Sequence, residues 1–303
     1  MRRFLPLIAL IALAAGCGGN DENGAAPTPG TIALDFQPNA VHAGIYRTAL
    51  RIRVPAASTD SLKLLAAGRA DMSVVDIHDL GLARQAGSDL VGVGALVQRP
   101  LAAVIARRED VRRPRDLEGR RVGVTGLPSD DAVLRAVVEH DGGDYARVKK
   151  VTIGFSAVPS LIAGKVDAVV SFWNAEGVAL RQRGVPTREF RVDDYGAPRY
   201  PELVLVVTRE TLEKRAALVD EMLEAIALGT EDALDHRAAT IEELVRASGA
   251  DEPLMRAQLA AVAPALRPPV RLDRTALERW AAFDAQFGIL RRAPDVERAF
   301  RLR

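Results

Sequence analysis

The sequence predicts a two-lobed α/β protein in which each lobe carries a parallel sheet and a C-terminal run of helices packs on the first lobe. Three observations predict it. Strand, helix and strand patterns follow one another between Ile32 and Thr208, and strand–helix–strand is the unit of a parallel sheet. The turn Gly68-Arg69-Ala70-Asp71, a helix end followed by a strand start, returns as Gly164-Lys165-Val166-Asp167 at the matching place of a second α/β unit. A chain of 303 residues with 48% hydrophobic content can bury a large core and suggests about two lobes.

In chain order, residues 1–17 read as an address. Met1-Arg2-Arg3 is positive, Phe4 to Ala15 is apolar but too short to span a bilayer, and Ala14-Ala15-Gly16 leads into Cys17. This resembles a lipobox, which implies cleavage before Cys17 and lipid attachment to its sulfur. Ala14 stands where an aliphatic residue is usual, with Leu13 one place further back; an ordinary secretory signal with a chance cysteine is the alternative. Residues 18–30 have almost no apolar content and are expected to form a flexible tether.

The first lobe is assigned to residues 31–106 plus 203–303. Its opening stretch, IALDFQPNAVHAGIY (Ile32 to Tyr46), begins as an alternating strand and stops at Pro38, where polar side chains gather. Asp35, Asn39 and His42 then lie at the carboxyl end of a first strand, where open parallel sheets place ligands, and Tyr46 supplies an aromatic wall. Asn39 and His42 serve equally as caps of the next helix. Leu50 to Val54, Ala70 to Ile77, Leu90 to Val97 and Leu101 to Ala106 read as further strands, with a helix over Asp60 to Arg69. Asp76 ends one of these strands and is either a ligand contact or, like Asp79, an N-cap for Leu80 to Gln85. Only Asn39 to Ala49 remain for the first crossover, so most of its helix is expected to be missing and apolar sheet surface to be left uncovered.

The second lobe is assigned to residues 107–202, with Arg107 to Arg115 as a hinge or crossing strand. Strands are predicted over Arg121 to Thr125, Val148 to Phe155, Val166 to Phe172 and Val185 to Val192. A helix over Ser129 to His140 is capped by Ser129 or Asp130, and Ser129 is a candidate ligand contact. The negative charge of Asp130 and Asp131 argues against a phosphate at that helix start, and no glycine-rich phosphate loop is present. Val166 to Phe172 runs into Ser171-Phe172-Trp173-Asn174-Ala175-Glu176-Gly177. Trp173 can stack on a flat heterocycle, Asn174 and Glu176 can engage its ring nitrogen and amino group, and Tyr195 follows in a turn-rich connection. The alternative places Trp173 in the core and makes Glu176 a first-turn helix acid. Leu203 to Thr208 returns to the first lobe, and helices follow over Leu212 to His236, Ala238 to Ser248, Glu252 to Ala263 and Arg274 to Phe287.

Charge and residue types exclude several functions. A formal net charge of +1, from 41 basic and 40 acidic residues, offers no case for a nucleic-acid partner. One cysteine permits no intramolecular disulfide, four scattered histidines show no metal-ligand spacing, and no cofactor is indicated. No convergent nucleophile and base stand out.

The run Leu34-Asp35-Phe36-Gln37-Pro38-Asn39-Ala40-Val41-His42-Ala43-Gly44-Ile45-Tyr46 resembles the opening signature of the NMT1/THI5-like family, and the resemblance extends from Thr31 to about Leu212. It implies a fold like that of periplasmic binding proteins of type II and an extracytoplasmic, lipid-anchored, monomeric solute-binding protein of an ABC importer, docking on a membrane permease. The implied ligand is a thiamine-type aminopyrimidine held between Asp35, Asn39, His42 and Tyr46 on one lobe and Trp173, Asn174 and Glu176 on the other. A sulfonate-, nitrate- or riboflavin-type binder is the alternative within the class. The enzyme branch, a fungal pyrimidine synthase, uses a pyridoxal-phosphate lysine where this chain has Val75, and a cysteine cluster that this chain lacks.

Overall fold

The structure, a computed structural model, describes residues 29–56 and 60–302. The proposed signal peptide, Cys17 and the tether as far as Thr28 lie outside the described residues. Gly30, placed in the tether by sequence, already belongs to the folded body, since its carbonyl accepts the amide of Arg51 at 3.0 Å.

Among the described residues, ten strands form two five-stranded sheets. The first contains β1 (Thr31–Ala33), β2 (Arg51–Arg53), β3 (Met72–Asp76), β4 (Leu90–Ala95) and β10 (Leu203–Thr208), in the order β2-β1-β3-β10-β4. The second contains β5 (Ala102–Arg107), β6 (Arg121–Val124), β7 (Lys149–Thr152), β8 (Ala168–Phe172) and β9 (Thr187–Arg191), in the order β7-β6-β8-β5-β9. Neither sheet is purely parallel: β10 runs antiparallel to β3 and β4, and β5 antiparallel to β8 and β9. Each sheet thus has a parallel trio and one strand inserted from the opposite direction. In each, the inserted strand is the one that has just crossed from the other sheet.

That exchange corrects two expectations. The strand around Leu101 to Ala106 pairs in the second sheet, with Ala103 opposite Ser171 and Arg191, and not in the first. The chain has therefore crossed before Ala102, and Arg107 to Arg115 is no hinge: the amide of Arg108 bonds Pro186 O at 2.9 Å inside the second lobe. The crossings are the short segments before β5 and before β10, joined where the Leu96 amide meets Leu203 O at 2.8 Å.

The repeated turn has the same role in both sheets. Gly68 and Gly164 adopt φ of 64° and 66°, the left-handed conformation that ends a helix without a Cβ penalty. Three residues on, the carboxylate of Asp71 accepts the amide of Thr31 at 2.8 Å, and that of Asp167 accepts the amide of Arg121 at 2.8 Å. Each aspartate therefore secures the first residue of the neighbouring parallel strand.

Helices α1 (Ala43–Tyr46), α2 (Asp60–Ala66) and α3 (Ile77–Gln85) flank the first sheet; α4 (Pro128–His140), α5 (Ala157–Ile162) and α6 (Glu176–Gln182) flank the second. After β10 come α7 (Arg209–Lys214), α8 (Ala216–Asp235), α9 (Arg237–Ser248), α10 (Glu252–Val262), α11 (Arg274–Gln286) and α12 (Val296–Ala299). Most of these cover the first sheet, but α10 reaches across to α6, and Gln258 Nε2 donates to Ala175 O at 3.4 Å.

The first crossover is as short as expected, a single turn of 3-10 helix over Ala40–His42 followed by α1. The sheet is not left bare. Ile32 and Leu34 are fully buried in one cluster with Met222, Leu223 and Ile226 of α8. This approach depends on glycine, because a Cβ on Gly44 would come within 2.8 Å of Thr230 Cα and overlap Thr230 Oγ1, and one on Gly229 would overlap Gly44 O. Arg47 then ties the end of α1 to Asp232 at 2.5 Å and to Glu243 at 2.9 Å.

Candidate functional site

A cavity of about 440 Å³ opens between the two sheets at the carboxyl ends of β1, β3 and β8. Of the ten residues named from sequence, Asp35, Asn39, Asp76, Ser129, Asn174 and Glu176 line it. His42, Tyr46, Trp173 and Tyr195 do not.

The opening stretch works as a unit. Asn39 Oδ1 accepts the amide of Val41 at 3.0 Å, and the Asn39 amide donates to His42 Nδ1 at 3.3 Å, so the capping reading holds. Because Nδ1 accepts, the Nε2 proton of His42 is directed to Asp35 Oδ1 at 2.8 Å. His42 is fully buried and acts behind the cavity wall, aiming Asp35 from below. Tyr46, the last residue of α1, packs on the core, where burial pushes its phenol pKa up.

At the end of β8, Val170, Ser171 and Phe172 all line the cavity, and the next residue does not. Trp173 is 3% exposed, donates from Nε1 to Pro100 O at 3.1 Å, and lies between the guanidinium groups of Arg191 at 4.1 Å and Arg99 at 5.5 Å. Tyr195 stands on the outer side of the second sheet, edge-on to Phe190 and His140. The aromatic walls of the cavity are instead Phe36, Phe155 and Phe172. Phe36 and Phe155 meet edge to face across the cleft with centroids 4.9 Å apart. Pro38 was the available signal for Phe36: the strand ends at Ala33, five residues before it, and frees Phe36 from the sheet alternation.

The polar lining is strongly acidic. Asp35, Asp76, Asp79, Asp130, Glu176 and Glu202 line the cavity, and among the described residues no lysine or arginine does. Asp130 is satisfied by its own loop, accepting from Thr125 Oγ1 at 2.6 Å and from the Gly126 amide at 3.0 Å. It is the third residue of a helix that begins at Pro128, after Leu127 and not after Ser129 or Asp130. Asp76 both caps α3, accepting the His78 amide at 2.8 Å, and faces the cavity, so the two readings of it hold together. Glu176 accepts the Phe172 amide at 3.1 Å, and burial raises its carboxyl pKa. Asn174 is 1% exposed, and its Oδ1 and the neighbouring Ser171 Oγ have no hydrogen-bond partner among the described residues.

Beneath the floor lies a cluster that sequence spacing could not reveal, because its members are far apart in the chain. His78 Nδ1 meets Asp284 Oδ1 at 2.7 Å and its Nε2 meets Tyr200 OH at 3.1 Å. Burial opposes charge on His78, yet the carboxylates of Asp284, Asp76 and Glu202 raise its pKa to about 10. Burial likewise pushes the Asp76 carboxyl well up and raises Glu202, with the His78 charge pulling both back. Asp76, His78 and Glu202 each bring one ligand atom within 4.8 Å of the others, the one grouping among the described residues that could hold a cation. Both ring nitrogens of His78 are already engaged, which leaves neither free to ligate a cation.

The chain is 32% identical over 227 residues to the formylaminopyrimidine-binding protein of Halalkalibacterium halodurans, covering 70% of this chain and 68% of that one. It is 30% identical over 198 residues to a putative thiamine biosynthesis protein of Haemophilus influenzae, covering 60% of this chain and 62% of that one. The fold is similar to that of the periplasmic aliphatic sulphonate binding protein of Escherichia coli, with a TM-score of 0.72, 16% identity, and 90% and 92% of the two chains covered. The family model described as NMT1/THI5 like matches residues 43–240, about two thirds of the chain, and this chain belongs to that family.

Proposed function

We propose that this protein is the solute-binding component of an ABC importer and that its ligand is a thiamine pyrimidine precursor, a flat aminopyrimidine of the formylaminopyrimidine or hydroxymethylpyrimidine type. The observation that carries the reading is the acceptor-rich cavity: six acidic side chains, no lysine or arginine, and the unpartnered Asn174 Oδ1 and Ser171 Oγ. Such a lining asks for a ligand that brings hydrogen-bond donors. Exocyclic amino groups supply them, and the ring presents π faces to Phe36, Phe155 and Phe172. The relative named as a formylaminopyrimidine-binding protein supports the same ligand class.

A sulfonate or nitrate fits poorly, since an anion would meet six acids and, among the described residues, no lysine or arginine in the lining. A synthase reaction through a pyridoxal-phosphate lysine also fits poorly, because Val75 stands in the cavity wall where the family's enzyme branch carries that lysine, and no lysine lines the cavity. Closure of the lobes over the ligand brings Asp35, Asn39 and Asp76 toward Ser129, Asn174 and Glu176, so ligand contacts favour the closed state. We place the protein outside the cytoplasm, anchored through a lipidated Cys17, monomeric and docking on a membrane permease. Calorimetric titration of residues 18–303 with an aminopyrimidine, thiamine, riboflavin and an alkylsulfonate tests the ligand; tight binding of the alkylsulfonate alone overturns it.

A further inference from the structure

Positive charge is gathered at one end of an otherwise balanced chain. Overall, 41 basic residues face 40 acidic ones, yet residues 291–303 carry five arginines against Asp295 and Glu297. Glu297 is taken by Arg274 at 2.7 Å, and Arg301 is taken by Asp220. Two of the others, Arg292 and Arg298, reach a second cavity, of about 550 Å³, between α3 and the segment leading into α12. Arg84, Arg292 and Arg298 line it together with Gln85 and Leu290, and Asp295 is its only acid among the described residues.

Asp295 is already occupied, since its Oδ1 accepts the Arg298 amide at 3.2 Å to cap α12. Arg84 donates to Leu90 O and lies 3.8 Å from Asp89, which Arg209 also holds at 2.9 Å. Arg292 and Arg298 have no carboxylate partner among the described residues. Burial lowers the Arg84 pKa; Asp89 and Asp295 oppose that, while the charges of Arg209 and Arg298 press with it. The cavity therefore concentrates positive charge that Asp89 and Asp295 neutralise only in part.

We propose that this cavity binds a phosphate group, carried either by a small free anion or by the headgroup of an anionic phospholipid. Guanidinium groups present paired N–H donors that match the oxygens of a phosphate, and three of them around one acid leave the net positive charge that a phosphate dianion satisfies. Leu290 and Pro294 supply an apolar side for the organic part of such a ligand. Helix α3 is the wall shared with the cleft: Leu82, Ala83 and Ala86 face the first cavity, and Gly81, Arg84 and Gln85 the second. The proposal does not rest on the identity of the cleft ligand.

The test uses the full-length chain beside the double variant Arg292→Ala/Arg298→Ala, which removes two exposed side chains and leaves Arg84 in place. One arm titrates inorganic phosphate and pyrophosphate by calorimetry; the other compares co-sedimentation with phosphatidylglycerol and phosphatidylcholine vesicles. The proposal expects binding in at least one arm, weakened tenfold or more in the double variant, whose melting temperature is unchanged. Response to phosphate or pyrophosphate alone assigns the free anion, and a preference for phosphatidylglycerol alone assigns the lipid. Absence of binding in both arms, or binding that the double variant retains, overturns it. Aminopyrimidine titration of the same variant reports on the cleft separately.

Discussion

The carboxylate of Glu202 accepts the backbone amide of Leu101 at 2.8 Å, joining the segment that leaves the first sheet to the segment that returns to it. The same oxygen receives the Ala102 amide at 3.4 Å, the Glu202 carbonyl receives the Ile77 amide at 2.9 Å, and the side chain lines the ligand cavity. Glu202→Ala leaves two buried amides without an acceptor, at about 1–3 kcal/mol each. The urea unfolding midpoint is expected to fall accordingly. Glu202→Gln keeps an acceptor oxygen and is expected to lose less than half as much.

The buried His78 makes stability depend on pH in a defined direction. Its pKa is about 10 in the folded protein against roughly 6.5 for a free imidazole, so the folded state holds a proton that the unfolded state releases. The stability from this group is complete below about pH 6.5 and is lost as pH rises towards 10. The groups facing His78 are Asp76 and Asp79 from its own segment, Glu202 and Tyr200 from the return crossing, and Asp284 and Trp280 from α11. Unfolding curves for the wild type and His78→Gln are expected to converge between pH 6.5 and 10. A gap that widens over that range contradicts the assignment.

His42 never reaches the cavity, yet its variants are expected to alter ligand affinity. His42→Phe removes the donor that fixes Asp35 Oδ1 at 2.8 Å, and a hydrogen bond to a carboxylate contributes about 1.5–3 kcal/mol. Calorimetry is expected to show affinity reduced about tenfold or more, with Asp35→Ala producing a similar loss and the double variant adding little to either.

Gly44 is required by packing alone. Gly44→Ala is expected to destabilise by about 1–3 kcal/mol, the usual cost of forcing a methyl group into a filled interface, because Thr230 is backbone-close on the facing helix. Thr230→Ala in the same chain removes Oγ1 and is expected to recover part of that loss.

Much of the fold was legible because it is written in local pattern. Gly68 and Asp71, and again Gly164 and Asp167, announce a helix end and a strand start, and the structure gives both aspartates the same amide to hold. The antiparallel inserted strands were not legible, because β5 and β10 are apolar runs whose partners lie far away in sequence. At the site, Asp35, Asn39, Asp76, Ser129, Asn174 and Glu176 follow the rule that ligands gather at strand ends. Trp173 broke it: it is buried beside the cavity, and its indole N–H is spent on Pro100 O. His78 with Asp284 was out of reach, as 206 residues separate them and only tertiary packing brings them together.

Under the proposed function, the cleft selects ligands that bring hydrogen-bond donors. The most direct measurement is calorimetric titration of the protein with an aminopyrimidine and with the same ring lacking its exocyclic amino groups, each repeated on Glu176→Ala. An acceptor-rich cavity predicts tight binding of the first and at least about a tenfold loss for the second, since buried acceptors are then left unpaired. Glu176→Ala is expected to erase most of that difference. Equal affinity for the two rings, or a difference that Glu176→Ala leaves intact, contradicts the account.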